Sequence, residues 1–184
     1  MIICVCGKSG SGKSTVSNEL KNMYGDKVIH VEIDRIGHKA LNDEKVKAEL
    51  INCFGNNILK NNEVDRKKLG NIVFNLRNDM KKLSNITWNY MENEIDKIIN
   101  INKNKIIVLD YILLPITKYF NMADIRLLLD VAYEVRKNRC IKRDNISEDE
   151  FLLREKASID YKEYDFDYVI SSSKDVKELV KIYE

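Results

Sequence analysis

Proline is almost missing from this sequence: Pro115 is the single one, and glycine occurs only seven times in 184 residues. Proline interrupts helices and glycine opens turns, so their scarcity predicts long elements joined by short loops. Long apolar runs are lacking too. None approaches the roughly 20 residues of a membrane-crossing helix, and the first residues show no basic stretch followed by an apolar one. A cytoplasmic protein without a membrane partner is therefore expected. Charge of one sign is lacking: 31 Lys and Arg against 29 Asp and Glu leave a net charge of +2. Such balance gives a mixed surface and excludes the basic face of a nucleic-acid binder. Cysteines are few, at Cys4, Cys6, Cys53 and Cys140, and no pair has zinc or redox spacing. All four are expected to be small buried thiols. What is present is a single domain of ordinary size, large enough for a real core, with no internal repeat and no low-complexity linker.

Three of the glycines cluster in Gly7-Lys8-Ser9-Gly10-Ser11-Gly12-Lys13-Ser14, directly after the apolar run Ile2-Ile3-Cys4-Val5-Cys6. This is a complete G-x-x-x-x-G-K-[ST] pattern. The β-branched run before it reads as a buried strand, and Ser14 to Leu20 after it as a helix start. Strand, glycine loop and helix together turn the pattern into a phosphate site, where a glycine turn alone would be a mere connection. Backbone N–H groups turn inward around a polyphosphate, and the helix N-terminus adds partial positive charge. Gly7, Ser9, Gly10, Ser11, Gly12, Lys13, Ser14 and Thr15 are the expected contacts for ATP. Lys13 would reach its β- and γ-phosphates, and the Ser14 hydroxyl would ligate Mg²⁺.

Five short segments have strand character: Ile2–Cys6, Val28–Val31, Ile106–Asp110, Ile125–Asp130 and Tyr168–Ile170. Helical patterns lie between them. In residues 78–101, Met80, Leu83, Thr87, Tyr90, Met91, Ile95 and Ile98 recur at helical steps. Strands alternating with helices predict an α/β fold with a parallel sheet covered on both faces. Residues 35–104 and 131–166 are longer than crossovers require, and ligands of open α/β sheets bind beyond the carboxyl ends of the strands. These two segments are the expected acceptor and lid elements.

Phosphoryl transfer to a hydroxyl needs a carboxylate to orient the hydroxyl and take its proton. Asp34 follows the second strand in Val31-Glu32-Ile33-Asp34 and would sit beside the phosphate loop, as a catalytic or Mg²⁺-linked carboxylate, an N-cap of a helix beginning at Arg35, or both. Asp110 ends Ile106-Ile107-Val108-Leu109 and either holds Mg²⁺ through water or serves a turn. Arg136, Arg139 and Arg143 share one helical face, either solvated or presented to ATP, and the phosphate loop in the same chain favours the second. His38 lies four residues after Asp34, as a pocket or surface histidine, since two ligands make a poor metal site. His30, inside a strand, is structural.

The chain resembles the dephospho-coenzyme A kinase family nearly end to end. Beyond Gly7–Thr15, the segment Glu32-Ile33-Asp34-Arg35-Ile36-Gly37-His38 is similar to the family's Asp-Ala-Asp stretch, with Asp34 at its second acid. Val64-Asp65-Arg66-Lys67-Lys68-Leu69-Gly70-Asn71-Ile72-Val73-Phe74 is close to its D-R-x-x-L-G-x-x-V-F helix start, which no general phosphate-loop physics requires. Residues 139–150 resemble the lid and 166–170 the final strand. The resemblance implies a P-loop NTPase fold, α/β with a five-stranded parallel sheet flanked by helices. It implies one kinase domain over 1–184, with a helical acceptor-binding insertion at about 35–104 and a lid at about 140–165. It implies transfer of the ATP γ-phosphoryl to the ribose 3′-hydroxyl of dephospho-coenzyme A, by a monomer or weak homo-oligomer. By the same resemblance Lys13, Asp34 and Arg143 are catalytic, Arg139 contacts ATP, and Asp34, His38 and Arg66 bind the acceptor. The sequence departs from the family at Trp88-Asn89, where His-Pro is usual, and in Asp110–Ile116, where proline is displaced and a terminal acid missing. The lid is about two residues short before Asp167. A GTPase is set aside because no Asn-Lys-x-Asp element occurs. The residues also admit a P-loop kinase for a different small acceptor (a nucleoside, nucleotide or hydroxy acid) or a non-catalytic nucleotide-binding relative.

Overall fold

The structure, a computed structural model, describes residues 1–73, 77–172 and 175–176. In chain order the elements are β1 (Ile2–Cys6), α1 (Lys13–Tyr24), β2 (Val28–Glu32), α2 (Ile33–Ala40), α3 (Glu44–Phe54), β3 (Leu59–Lys60), β4 (Glu63–Val64), α4 (Arg66–Val73), α5 (Arg77–Ile101), β5 (Ile106–Asp110), α6 (Lys118–Met122), β6 (Ile125–Leu129), α7 (Tyr133–Asp144), α8 (Glu148–Ala157) and β7 (Tyr168–Ile170). They form two compact units, one of Met1–Glu32 with the chain from Ile101 onward, the other of Ile33–Asn100.

The first unit holds a five-stranded sheet in the order β2-β5-β1-β6-β7, every pairing parallel. All five predicted strands form. Val5 lies opposite Asp110, and Asp110 opposite Glu32, so the ends of β1, β5 and β2 line up at one edge. β1 stands between β5 and β6, where the strand order reverses, and such a point opens a crevice for ligands. The core joins Ile3, Val5, Val108, Leu127 and Leu129 of the sheet to Val16 and Leu20 of α1. Val16 and Leu20 are four residues apart and so share the buried face of that helix.

The second unit packs Ala40, Leu41, Val46, Leu50, Ile58, Leu69 and Val73 against Met80, Leu83, Ile86 and Tyr90 of α5. The predicted stripe continues along α5, where Met91 and Ile95 are buried. Thr87 is buried as well, its hydroxyl donating to Leu83 O at 2.9 Å. Asp43 caps α3, accepting from the N–H groups of Lys45 at 3.0 Å and Val46 at 3.1 Å. The sequence patterns do not predict the β3–β4 hairpin. Its turn residues Asn61 and Asn62 have φ of 52° and 64°, the left-handed pair that a two-residue hairpin turn requires and asparagine tolerates.

Two expectations are corrected. α2 starts at Ile33, directly after β2, so Asp34 lies inside its first turn and is not an N-cap of a helix beginning at Arg35. Ile33, Ile36 and Ala40 are all buried, and that apolar stripe carries the helix back to the strand end. Cys4, Cys6 and Cys140 are buried thiols, but Cys53 is exposed. α3 buries Val46 and Leu50 and leaves Cys53 outside the core.

Candidate active site

The phosphate loop takes its shape from two glycines. Gly12 stands at φ 100°, ψ 25°, the left-handed region, and opens α1 without a side-chain cap. The first N–H groups of α1 therefore face the loop, where an anion is favoured. Gly10 stands at φ +78°, and a Cβ there would lie 2.5 Å from Arg136 O and 2.9 Å from Cys140 Sγ. Only glycine lets the loop lie against α7. The Lys13 ammonium donates to Gly7 O at 3.0 Å across the loop.

The Ser14 hydroxyl donates to Asp110 Oδ2 at 3.0 Å. Asp110 is 5% exposed, and His30 Nε2 stands 3.4 Å from the same carboxylate oxygen, off hydrogen-bond geometry. A hydroxyl and a carboxylate thus converge at the start of α1. Mg²⁺ prefers hard oxygen ligands, and commonly takes one or two from protein with the rest from phosphate and water. Ser14 and Asp110 fit that demand. Among the described residues no group of three or more His, Cys, Asp or Glu could cage a metal ion, so such an ion would depend on phosphate oxygens.

The three arginines of α7 have different surroundings. Arg136 is 6% exposed, which excludes the solvated alternative for it. Its guanidinium donates to both carboxylate oxygens of Glu155 on α8, at 2.7 and 3.0 Å, and to Val131 O at 2.9 Å. Arg139 Nη1 donates to Gly10 O and Ser11 O of the phosphate loop, each at 3.3 Å. Arg143 turns to Asp144, donating at 2.7 and 2.9 Å. Arg154 pairs with the same acid. Hydrogen bonds from Arg143, then Arg154, hold the Asp144 carboxyl at about 2. This pair therefore stays ionised across the whole neutral range.

In the second unit Asp34 is exposed on the first turn of α2. His38 Nε2 lies 2.8 Å from Arg66 Nη2. Arginine only donates, so His38 accepts and is neutral at Nε2. Burial, then the Arg66 charge, pushes its pKa below the ordinary histidine value. Asp65 accepts from the N–H groups of Lys67 at 2.9 Å and Lys68 at 3.1 Å and so starts α4. Leu69 and Val73 are buried in the core of this unit. The family-like run from Val64 is thus a capped helix that carries Arg66 toward His38. Its last residue, Phe74, lies outside the described residues. Trp88 is half-buried on α5.

Sequence reasoning missed Lys8, Glu155 and Tyr161. Lys8 pairs with Glu155 at 2.7 Å. The buried Tyr161 hydroxyl accepts from Gly7 N at 3.2 Å and donates to Ile112 O at 2.7 Å. No motif marks these residues, since each acts on a partner far away along the chain.

A parallel sheet with β1 at the point of reversal, followed by a glycine loop that opens a helix carrying Lys13 and Ser14, defines a P-loop phosphotransferase fold. A family model described as dephospho-CoA kinase matches residues 1–178. A dephospho-CoA kinase of Fusobacterium nucleatum is 34% identical over 187 residues, covering all of this chain and 95% of the relative. A solved structure of dephospho-CoA kinase from Campylobacter jejuni aligns at TM-score 0.59 with 26% identity, covering 98% of this chain and 94% of that one. The crystal structure of TT1252 from Thermus thermophilus shares the fold at TM-score 0.81 with 24% identity, over 99% of this chain and 95% of that one. The chain belongs to the dephospho-CoA kinase family.

Proposed function

We propose that the protein transfers the γ-phosphoryl of ATP to the ribose 3′-hydroxyl of dephospho-CoA, giving CoA and ADP. The observation that supports this most is the loop itself: Lys13 lies across it on Gly7 O, and Ser14 and Asp110 meet at the first turn of α1. The loop N–H groups and α1 bind the polyphosphate, and Lys13 neutralises charge between the β- and γ-phosphates. Ser14 and Asp110 would hold Mg²⁺, which would supply further neutralisation of phosphate charge. Asp34 orients the acceptor hydroxyl and takes its proton as the oxygen attacks phosphorus and the bond to the ADP oxygen breaks. Arg66, steadied by His38, binds an anionic group of the acceptor. Chromatography of the product against authentic CoA and its 2′-phosphorylated isomer tests the assignment. A product co-eluting with CoA supports it, and any other phosphorylated product refutes it.

Arg139 and Arg143 complete the site from α7. Arg139 exchanges loop carbonyls for nucleotide, and Arg143 leaves Asp144 for the transferring phosphoryl. Arg139→Ala and Arg143→Ala should each lower kcat more than they raise the KM for ATP, because a guanidinium that stabilises mainly the transition state affects kcat most. Unchanged kinetics in the double variant would place both on an idle face.

Acidification should act on the acceptor side. Since the folded pKa of His38 is depressed, the unfolded chain binds this proton first, and any stability from the neutral form is lost as pH falls below about 6.5. A protonated His38 has no acceptor for Arg66 and repels it. The KM for dephospho-CoA is therefore expected to rise only once pH falls below about 6.5, while the KM for ATP stays level. His38→Gln, whose amide oxygen still accepts, should flatten that rise. An equally steep rise in this variant would assign the effect to another group.

A further inference from the structure

Consecutive residues of the phosphate loop are gripped from the segment 136–161. Gly7 N–H donates to the Tyr161 hydroxyl, Lys8 pairs with Glu155, and Ser9 O accepts from Arg136 Nη1 at 3.4 Å. Gly10 O and Ser11 O accept from Arg139. Each grip comes from a side chain more than a hundred residues away in sequence, so the loop's shape is imposed from outside as well as by its glycines. Glu155 is the centre of this arrangement. Its two oxygens serve Arg136 on α7 and Lys8 on the loop at once, at 2.7 to 3.0 Å, and its side chain is only 17% exposed. Arg136 in turn fastens the end of β6 through Val131 O.

We propose that Glu155 is a positioning residue for phosphoryl transfer: by binding Lys8 and Arg136 together, it docks α8 on the phosphate loop and holds the loop in the shape that receives the nucleotide. The proposal rests on the assignment of Gly7–Thr15 as the ATP site. Glu155 itself touches no reacting atom. Neutralising it loosens Lys8 and leaves a buried guanidinium with a weaker partner, so the loop apex at Lys8 and Ser9 loses its outer support. Effects are expected on the nucleotide and on turnover, and not on the acceptor, which the second unit binds.

The test compares wild type, Glu155→Gln and the double variant Arg136→Gln/Glu155→Gln. Readouts are kcat, the KM for each substrate, ADP affinity by calorimetry, and Tm. Glu155→Gln is expected to lower kcat by up to about 10²-fold, the scale on which a misplacement of about 1 Å acts. It should also weaken ADP and leave the KM for dephospho-CoA unchanged. The double variant removes the buried guanidinium together with its partner and leaves only the more exposed Lys8 unpaired, so it should recover Tm toward wild type while kcat and ADP affinity stay low. If Glu155→Gln fails to fold, the double variant carries the comparison alone. Recovery of kcat and ADP affinity together with Tm would overturn the proposal, because the pair would then serve stability only. Wild-type kinetics with a lowered Tm in Glu155→Gln would do the same. Should wild type release no ADP with dephospho-CoA, the acceptor assignment fails, and ADP affinity still decides the role of Glu155.

Discussion

Replacing Lys13 by alanine is expected to cut phosphoryl transfer about a thousandfold, the scale on which a preorganised charge at a developing oxyanion acts, while the protein stays folded. Among the described residues the ammonium hydrogen-bonds the loop carbonyl of Gly7, and its site is partly open, so little of the core depends on it. Charge at the β- and γ-phosphates has no ready substitute in the loop, because its other ammonium, Lys8, is paired with Glu155 at 2.7 Å and the remaining groups are backbone N–H and hydroxyl dipoles. Circular dichroism and Tm near wild type, with turnover lost, are the expected pair of results. Wild-type rates in Lys13→Ala would remove Gly7–Thr15 as the phosphate site.

Asp34→Asn is expected to lower kcat by about 10²–10⁴, the usual range for loss of a positioned general base. Asparagine keeps the shape and removes the proton acceptor. The cost in stability should be small. Asp34 is an exposed acid in the first turn of α2, where its interaction with the helix dipole contributes about 0.3–1 kcal/mol. A kcat within a few-fold of wild type, with a large fall in Tm, would make Asp34 a structural residue and leave the acceptor without its base.

Local patterns made the fold readable in advance. Each sheet strand is a short apolar run, β-branched in β1, β2, β5 and β7 and leucine-rich in β6, parallel strands buried on both faces need no alternation, and the apolar steps along residues 78–101 anticipate α5 to within one residue at its start. The glycine loop was readable for the same reason, since pattern and flanking elements sit within twenty residues. Asp110 was readable as a strand end, but its bond to Ser14 spans 96 residues and needs the β1–β5 register. The arginines of α7 show the limit most clearly. Helical spacing places Arg136, Arg139 and Arg143 on one face and cannot say that the first is buried on Glu155, the second lies on the loop and the third turns to Asp144. The first difference is set by α8, whose start is fixed by a capping box at Ser147 and Glu150 and which carries Glu155; the second depends on the fold of the loop against α7, and the third on Asp144 at the end of α7 itself. The early start of α2 carries no local signal either: no capping side chain or glycine marks the passage from Glu32 to Ile33.

The intact phosphate loop is assigned here to transfer onto dephospho-CoA. The most direct measurement is coupled ADP release from ATP across a panel of acceptors: dephospho-CoA, nucleosides, nucleoside monophosphates and small hydroxy acids. ADP formation that saturates with dephospho-CoA, vanishes in Lys13→Ala and exceeds every other acceptor in kcat/KM is the expected result. No release above the background ATPase at saturating dephospho-CoA, with turnover on another hydroxyl compound, would contradict it.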